Sequence, residues 1–132
     1  WKLPDNFRIM RLKKIGEILT APMDVYLGKR NIYQPDILFI SKEKMDIIKD
    51  GKIKGAPDLI IEILSPSTAK FDMEDKKAVY EQYGVNEYWI VEPESKAVSG
   101  FTLTNQEYTE LESAKESIKS VLLNLTINFW YL

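Results

Sequence analysis

Ala56-Pro57-Asp58-Leu59-Ile60-Ile61-Glu62-Ile63-Leu64-Ser65-Pro66-Ser67-Thr68 is the stretch that decides the fold. Residues 57–64 are almost continuously apolar and rich in β-branched side chains, which suits a central strand covered on both faces. Two acids, Asp58 and Glu62, interrupt that hydrocarbon. A buried carboxylate without a partner is costly, so acids placed there need a cation or hydrogen-bond donors. Upstream, Gln34-Pro35-Asp36-Ile37-Leu38-Phe39-Ile40 repeats the order of proline, acid and β-rich run. Two neighbouring strands can therefore bring acids together, and paired acids hold a divalent cation.

If these two strands pair antiparallel through the connection at 41–56, the start of the first lies opposite the end of the second, and Asp36 faces Glu62. Asp58 falls four residues before Glu62 on the same strand face but about 13 Å away. It belongs near Ile40 at the connection end, in a supporting role. Asp36 and Glu62 are thus the candidate metal pair. An all-oxygen donor set suits Mg²⁺ or Mn²⁺, which keep several waters and accept one or two carboxylates plus substrate phosphate oxygens. Phosphoryl transfer is the chemistry implied, with a nearby lysine orienting water or steadying the leaving oxygen. On the following helix Lys76 lies four residues after Asp72 and four before Tyr80, along one stripe, whereas Lys77 points about a quarter-turn away. Lys76 is the candidate catalytic lysine, and Asp72 a supporting acid.

The rest of the composition narrows the chemistry. The chain has 132 residues, enough for one domain that buries roughly two-thirds of its unfolded surface. It holds no Cys and no His, which excludes disulfides, thiolate chemistry, zinc-thiolate sites and imidazole catalysis. Catalysis must run on carboxylates, amines or hydroxyls. A formal charge of -2 argues against a protein that coats nucleic acid, while leaving room for a local basic groove. Neither a membrane-length apolar run nor a secretory leader is present, so the expected location is the cytoplasm, and a first residue of Trp1 suggests missing N-terminal sequence.

Periodicity predicts a helix over 7–18, a short strand over 23–27, a polar turn at 28–31 and a second strand over 33–40. Ser41 is expected to cap a helix that ends at Gly51. Further on, a helix from Asp72 ends at Gly84, and a buried strand spans 87–91. A hairpin joins 97–103 to 107–111, and Leu123, Leu125, Ile127 and Phe129 alternate as a final strand. Strands interleaved with two or three helices give an α/β domain with a mixed sheet.

Bland readings compete with the functional ones. Asp58 can simply open a strand, Asp72 can cap a helix or pair with Lys76, and Tyr80 and Tyr83 read as core. Trp89 and Trp130 also read as core, and the lysine-rich stretch 42–54 as a solvated face. Glu62 is different: a structural role for it demands a buried cationic partner.

Taken in order, Gln34-Pro35-Asp36, the run from Gly55 to Thr68, Asp72, Lys76, Tyr80 and Gly84-Val85-Asn86-Glu87-Tyr88-Trp89-Ile90-Val91 resemble the Uma-two family of restriction-endonuclease-like proteins, over residues 16–125. The resemblance implies a PD-(D/E)xK nuclease fold, with a mixed central β-sheet flanked by helices and a magnesium-dependent phosphodiesterase site. Residue by residue, Asp36 corresponds to the first metal-binding acid and Glu62 to the acid of the second motif. Leu64 departs from the pattern, which has Lys two residues after that acid; the lysine role is either vacant or, as the resemblance implies, transferred to Lys76 on the next helix. The family's further N-terminal region, including a helix that can supply another acid, is replaced here at most by Glu17.

Three functions follow as expectations. The first is a Mg²⁺-dependent DNA endonuclease, for which the resemblance admits a homodimer. The second is a catalytically inactive module that binds nucleic acid or protein on the same fold, motivated by Leu64 and by the expected lack of the family's N-terminal segment. The third, a structural oligomer, rests only on the apolar C-terminal strand. The choice between DNA and RNA, and the sequence or structure recognised, stay open at this level.

Overall fold

A computed structural model describes residues 15–65, 70–111 and 114–128. The chain runs β1 (Gly16–Thr20), β2 (Val25–Leu27), β3 (Asn31–Tyr33), β4 (Ile37–Ser41), a 3₁₀ turn (Lys42–Ile47), β5 (Ile48–Lys49), β6 (Lys52–Lys54) and β7 (Leu59–Ile63). It continues through helix α1 (Lys70–Tyr83), β8 (Glu87–Val91), β9 (Ala97–Thr104), β10 (Glu107–Glu110), β11 (Ala114–Lys115), β12 (Ser117–Ser120) and β13 (Leu125–Asn128). The central sheet has the order β1-β4-β7-β8-β9-β10, with β11 pairing to β9. Among the described strands of this sheet, only β7 and β8 run parallel, joined by α1 as a β-α-β crossover. The sheet is mixed, as the sequence predicts.

Period-two alternation sorts the central strands onto two cores. Ile37, Phe39, Leu59, Ile61, Trp89 and Val91 face one side, where Ile118 and Ile127 of the β12–β13 hairpin cover them. Leu38, Ile40, Ile60 and Tyr88 face the other, against Met73 and Tyr80 of α1 and against Val25, Leu27 and Ile53 of a small sheet ordered β3-β2-β6-β5. Burial on both faces explains the unbroken apolar run of β7. Trp89 lies directly across from Gly100, where a Cβ would come within 2.3 Å of the indole ring.

Several predicted elements are redrawn. Residues 16–18 belong to β1 and not to a helix; 7–14 lie outside the described residues. Pairing with β4 overrides the apparent helical spacing, and Gly16 is required because a Cβ there would meet the Ile40 carbonyl oxygen and the Phe39 ring. The strand expected over 33–40 is two strands in two different sheets, separated at Gln34-Pro35-Asp36 because Pro35 has no N–H for a ladder. The helix expected over 41–51 is a 3₁₀ turn followed by the β5–β6 hairpin, and the Ser41 side chain makes no cap. Asp50 and Gly51 both adopt positive φ, as a two-residue hairpin turn requires.

Other elements fall where the sequence puts them. Gly84, at φ +86°, ends α1, and the β9–β10 hairpin turns over Asn105 and Gln106. The last strand is β13, with Ile127 buried and Phe129 and Trp130 outside the described residues; its partner β12 was not anticipated. Trp89 is core, and Tyr80 is fully buried. Tyr83 is 39% exposed, a correction to its reading as core. No helix among the described residues is long and apolar enough to cross a membrane.

Candidate active site

β4 and β7 pair antiparallel with Ile37 opposite Ile61, so extending the register by one residue sets Asp36 opposite Glu62. Asp36 Oδ2 accepts a 2.6 Å hydrogen bond from the N–H of Ile63, the residue after Glu62. Even-numbered residues of both strands point to the α1 side, so Asp36 and Glu62 share a face with Leu38 and Ile60. Asp58 sits at the other end of the pair, where its Oδ2 accepts from the Ser41 N–H at 2.6 Å and its own N–H donates to the Phe39 carbonyl. Those bonds tie the connection 41–56 to β7, a structural task.

Glu62 is buried to 4% of its exposed surface. Its Oε2 accepts from the Tyr80 hydroxyl at 2.9 Å and lies 3.3 Å from Lys76 Nζ. Lys76 and Tyr80 are one helical turn apart on α1, which stacks them over the end of β7. Burial pushes the Glu62 carboxyl above the ordinary carboxylate range; Lys76 and the Tyr80 hydroxyl pull it back, and the charge of Asp36 pushes it up again. The two acids therefore feel one another electrostatically. Lys76 Nζ also stands 5.8 Å from the centre of the Tyr33 ring, while Lys77 lies over Phe101. Lys76 and Lys77 diverge as the helical wheel requires.

Position 64 is occupied by Leu64, half-buried against the α1-side core. The ammonium group comes instead from α1, on the same face of the sheet. Asp72 lies in the first turn of α1, but its side chain is outside the described residues. Glu17 pairs with Ile40, four residues along β4 from Asp36 and so about 13 Å away, which corrects its candidacy as a third acid.

The cationic partner that a structural Glu62 demands is thus present in Lys76. Tyr80 is the residue sequence reasoning undervalued: it is core, as read, and also a donor to Glu62. Its place on the Asp72-Lys76-Tyr80 stripe was the available signal.

A divalent cation fits this donor set. Among the described residues Asp36 Oδ1 and Glu62 Oε1 accept no hydrogen bond, so each acid keeps one hard oxygen for an ion. The charge of Asp36 raises the proton affinity of Glu62, and positive charge between the two acids relieves that repulsion. No group of three or more acids gathers among the described residues, so an ion here would complete its shell with water and phosphate oxygens, as Mg²⁺ does.

Comparison with known proteins places these observations. Residues 3–130 match the model of a family, Uma2, described as "Putative restriction endonuclease". Among solved structures the chain is similar to one described as a "putative nuclease belonging to DUF820" from Anabaena variabilis, with a TM-score of 0.64 and 20% identity. That similarity covers 79% of this chain and 59% of the other, so the chain spans about three-fifths of that neighbour. No curated protein matches. The shared fold is the restriction-endonuclease-like mixed sheet expected from the sequence.

Proposed function

The chain belongs to the Uma2 family, and on that premise we propose that it is a nuclease that hydrolyses DNA phosphodiester bonds with Mg²⁺ or Mn²⁺ held by Asp36 and Glu62. The observation that carries this reading is the convergence of Glu62, Lys76 and Tyr80, from two elements, on the strand end where Asp36 also lies. A divalent cation supplies Lewis acidity to the phosphodiester and acidifies water. The protein's residues do the rest. Asp36 is fixed by the Ile63 N–H, and Glu62 by Tyr80, so both acids are pre-oriented before substrate arrives. The Lys76 ammonium places positive charge where phosphate oxygens gain negative charge, or holds the attacking water in line. Burial of Glu62 under α1 limits solvent, which strengthens each of these interactions.

The test is incubation of supercoiled and linear DNA with Mg²⁺ or Mn²⁺, comparing the native protein with Glu62→Gln. Nicking or linearisation that needs the metal and disappears in the variant is the expected result. Cleavage that persists undiminished in Glu62→Gln removes the assignment.

One observation favours a second reading, a non-catalytic binding module: Lys76 already neutralises Glu62 without any ion. Manganese titration separates the two, because the module predicts no binding that depends on Asp36. Loss of manganese binding in Asp36→Asn would eliminate it.

A further inference from the structure

The small sheet has an outer face that the candidate site does not use. Its inner face, formed by Val25, Leu27 and Ile53, is buried. Alternation therefore sends Tyr26, Lys52 and Lys54 outward, and Lys49 with them, since it pairs with Lys52 in the β5–β6 register. All three lysines are exposed. Lys49 and Lys52 are cross-strand partners, a like-charge pair that destabilises a hairpin, and Lys54 follows two residues along the same face, about 7 Å from Lys52. Among the described residues none of the three forms an ion pair, and Asp50 in the intervening turn pairs with neither neighbour. Lys52 instead stands 5.6 Å from the centre of the Tyr26 ring, and Ile32, across from Tyr26, is 53% exposed.

A sheet face that concentrates unpaired ammonium groups, on a chain whose net charge is -2, is complementary to a polyanion. Its position says which one. β3 forms one edge of this sheet and leads through Gln34 and Pro35 straight into Asp36; Tyr33 of β3 lies opposite Val25 on the inner face and adjoins Lys76, so the candidate site borders this edge from the inner side and the lysines stand around it on the outer face. β6 lies two strands from β3, about 10 Å away. We propose that Lys49, Lys52 and Lys54 form a phosphate-binding stripe that holds the DNA duplex flanking the scissile phosphate, with Tyr26 supporting Lys52. This rests on the nuclease reading for the identity of the anion. It also explains why a repulsive cross-strand pair stands in a hairpin that an acid at either position would stabilise.

The experiment is fluorescence anisotropy of a short labelled duplex with EDTA present, so that binding is read without cleavage. Lys52→Gln/Lys54→Gln is expected to bind about ten-fold more weakly and to flatten the slope of log K against log salt by about 2, the signature of two lost phosphate contacts. Lys49→Glu, which places opposite charges across the hairpin, is expected to raise the melting temperature while weakening duplex binding. Lys119→Gln, an exposed lysine on β12, is the control and should leave affinity unchanged. Duplex affinity within two-fold of the native protein in the double variant, equal weakening in Lys119→Gln, or no duplex binding by the native protein each overturns the proposal. Failure of the nuclease reading looks different: duplex binding that depends on the stripe, with no metal-dependent cleavage. Cleavage with duplex affinity indifferent to the three lysines sinks the stripe alone.

Discussion

Lys76 Nζ reaches Glu62 Oε2 at 3.3 Å, joining the middle of α1 to the end of β7 across the connection that links them. Removing one member of such a pair leaves the other charge buried alone. Lys76→Met is expected to lower stability by about 1–3 kcal/mol, less than a fully buried pair, because Lys76 keeps 28% of its side-chain surface in water. Hydrolysis should fall by about two orders of magnitude, the usual cost of deleting one group that stabilises developing charge. Urea unfolding and a DNA-cleavage assay check the two separately. Lost stability with intact hydrolysis would make Lys76 a counter-ion and nothing more.

Tyr80 and Tyr88 are both fully buried and their rings meet edge-on with centroids 5.0 Å apart, yet their hydroxyls differ. Tyr80 donates to Glu62, whereas the Tyr88 hydroxyl has no partner among the described residues. Tyr80→Phe should therefore destabilise by about 1–2 kcal/mol and weaken manganese binding, because Glu62 loses a donor that orients it. Tyr88→Phe removes an unsatisfied polar atom and should be neutral or mildly stabilising. Thermal melts of the two variants, side by side, test the contrast. A larger loss for Tyr88→Phe would mean that its hydroxyl finds a partner.

How far the sequence foretold this architecture depends on whether a signal was local. Asp36 opposite Glu62 was legible because antiparallel register follows from strand alternation and the length of the connection. Lys76 was legible because helical spacing separates it from Lys77. The β5–β6 hairpin was announced by Asp50-Gly51, a strong turn signal, but the preceding Met45, Ile47 and Ile48 mimic a helix. β1 escaped because its reason is tertiary: Gly16 exists for the close approach of Phe39 and Ile40, which no local pattern displays. β12, the partner of the expected strand β13, escaped for the same reason. Its docking depends on a buried acid, Glu87, that reads in sequence as an ordinary polar strand residue.

Glu87 is wholly buried on the face away from α1, where Oε1 accepts from the Trp89 indole N–H at 2.7 Å and Oε2 accepts from the Leu122 N–H at 2.8 Å. One carboxylate thus clamps the β12–β13 turn to the central sheet. Glu87→Leu should cost about 3 kcal/mol, two bonds to a charged acceptor with two donors left unpaired. Faster hydrogen exchange at the Leu122 amide should accompany the loss, with DNA cleavage per folded molecule unchanged, since the site lies on the opposite face. An unchanged exchange rate at Leu122 would show that the hairpin is held by Ile118 and Ile127 alone.

Glu62 sets stability against function along the pH axis. Burial raises its carboxyl above the usual range, so the native state holds this proton more tightly than the unfolded chain does. The stability this proton contributes is fully present below the unfolded carboxylate pKa and is lost as pH rises through the raised folded value. Cation binding needs the carboxylate, so manganese affinity and hydrolysis should climb across that same interval. Glu62→Gln carries no such proton. The melting temperature of the native protein, taken relative to that of Glu62→Gln, should therefore decline as pH increases from the ordinary carboxylate range through the raised folded value. A rise in the difference would mean that attraction to Lys76 outweighs desolvation, so that Glu62 is held ionised by its neighbour and needs no metal to justify its burial.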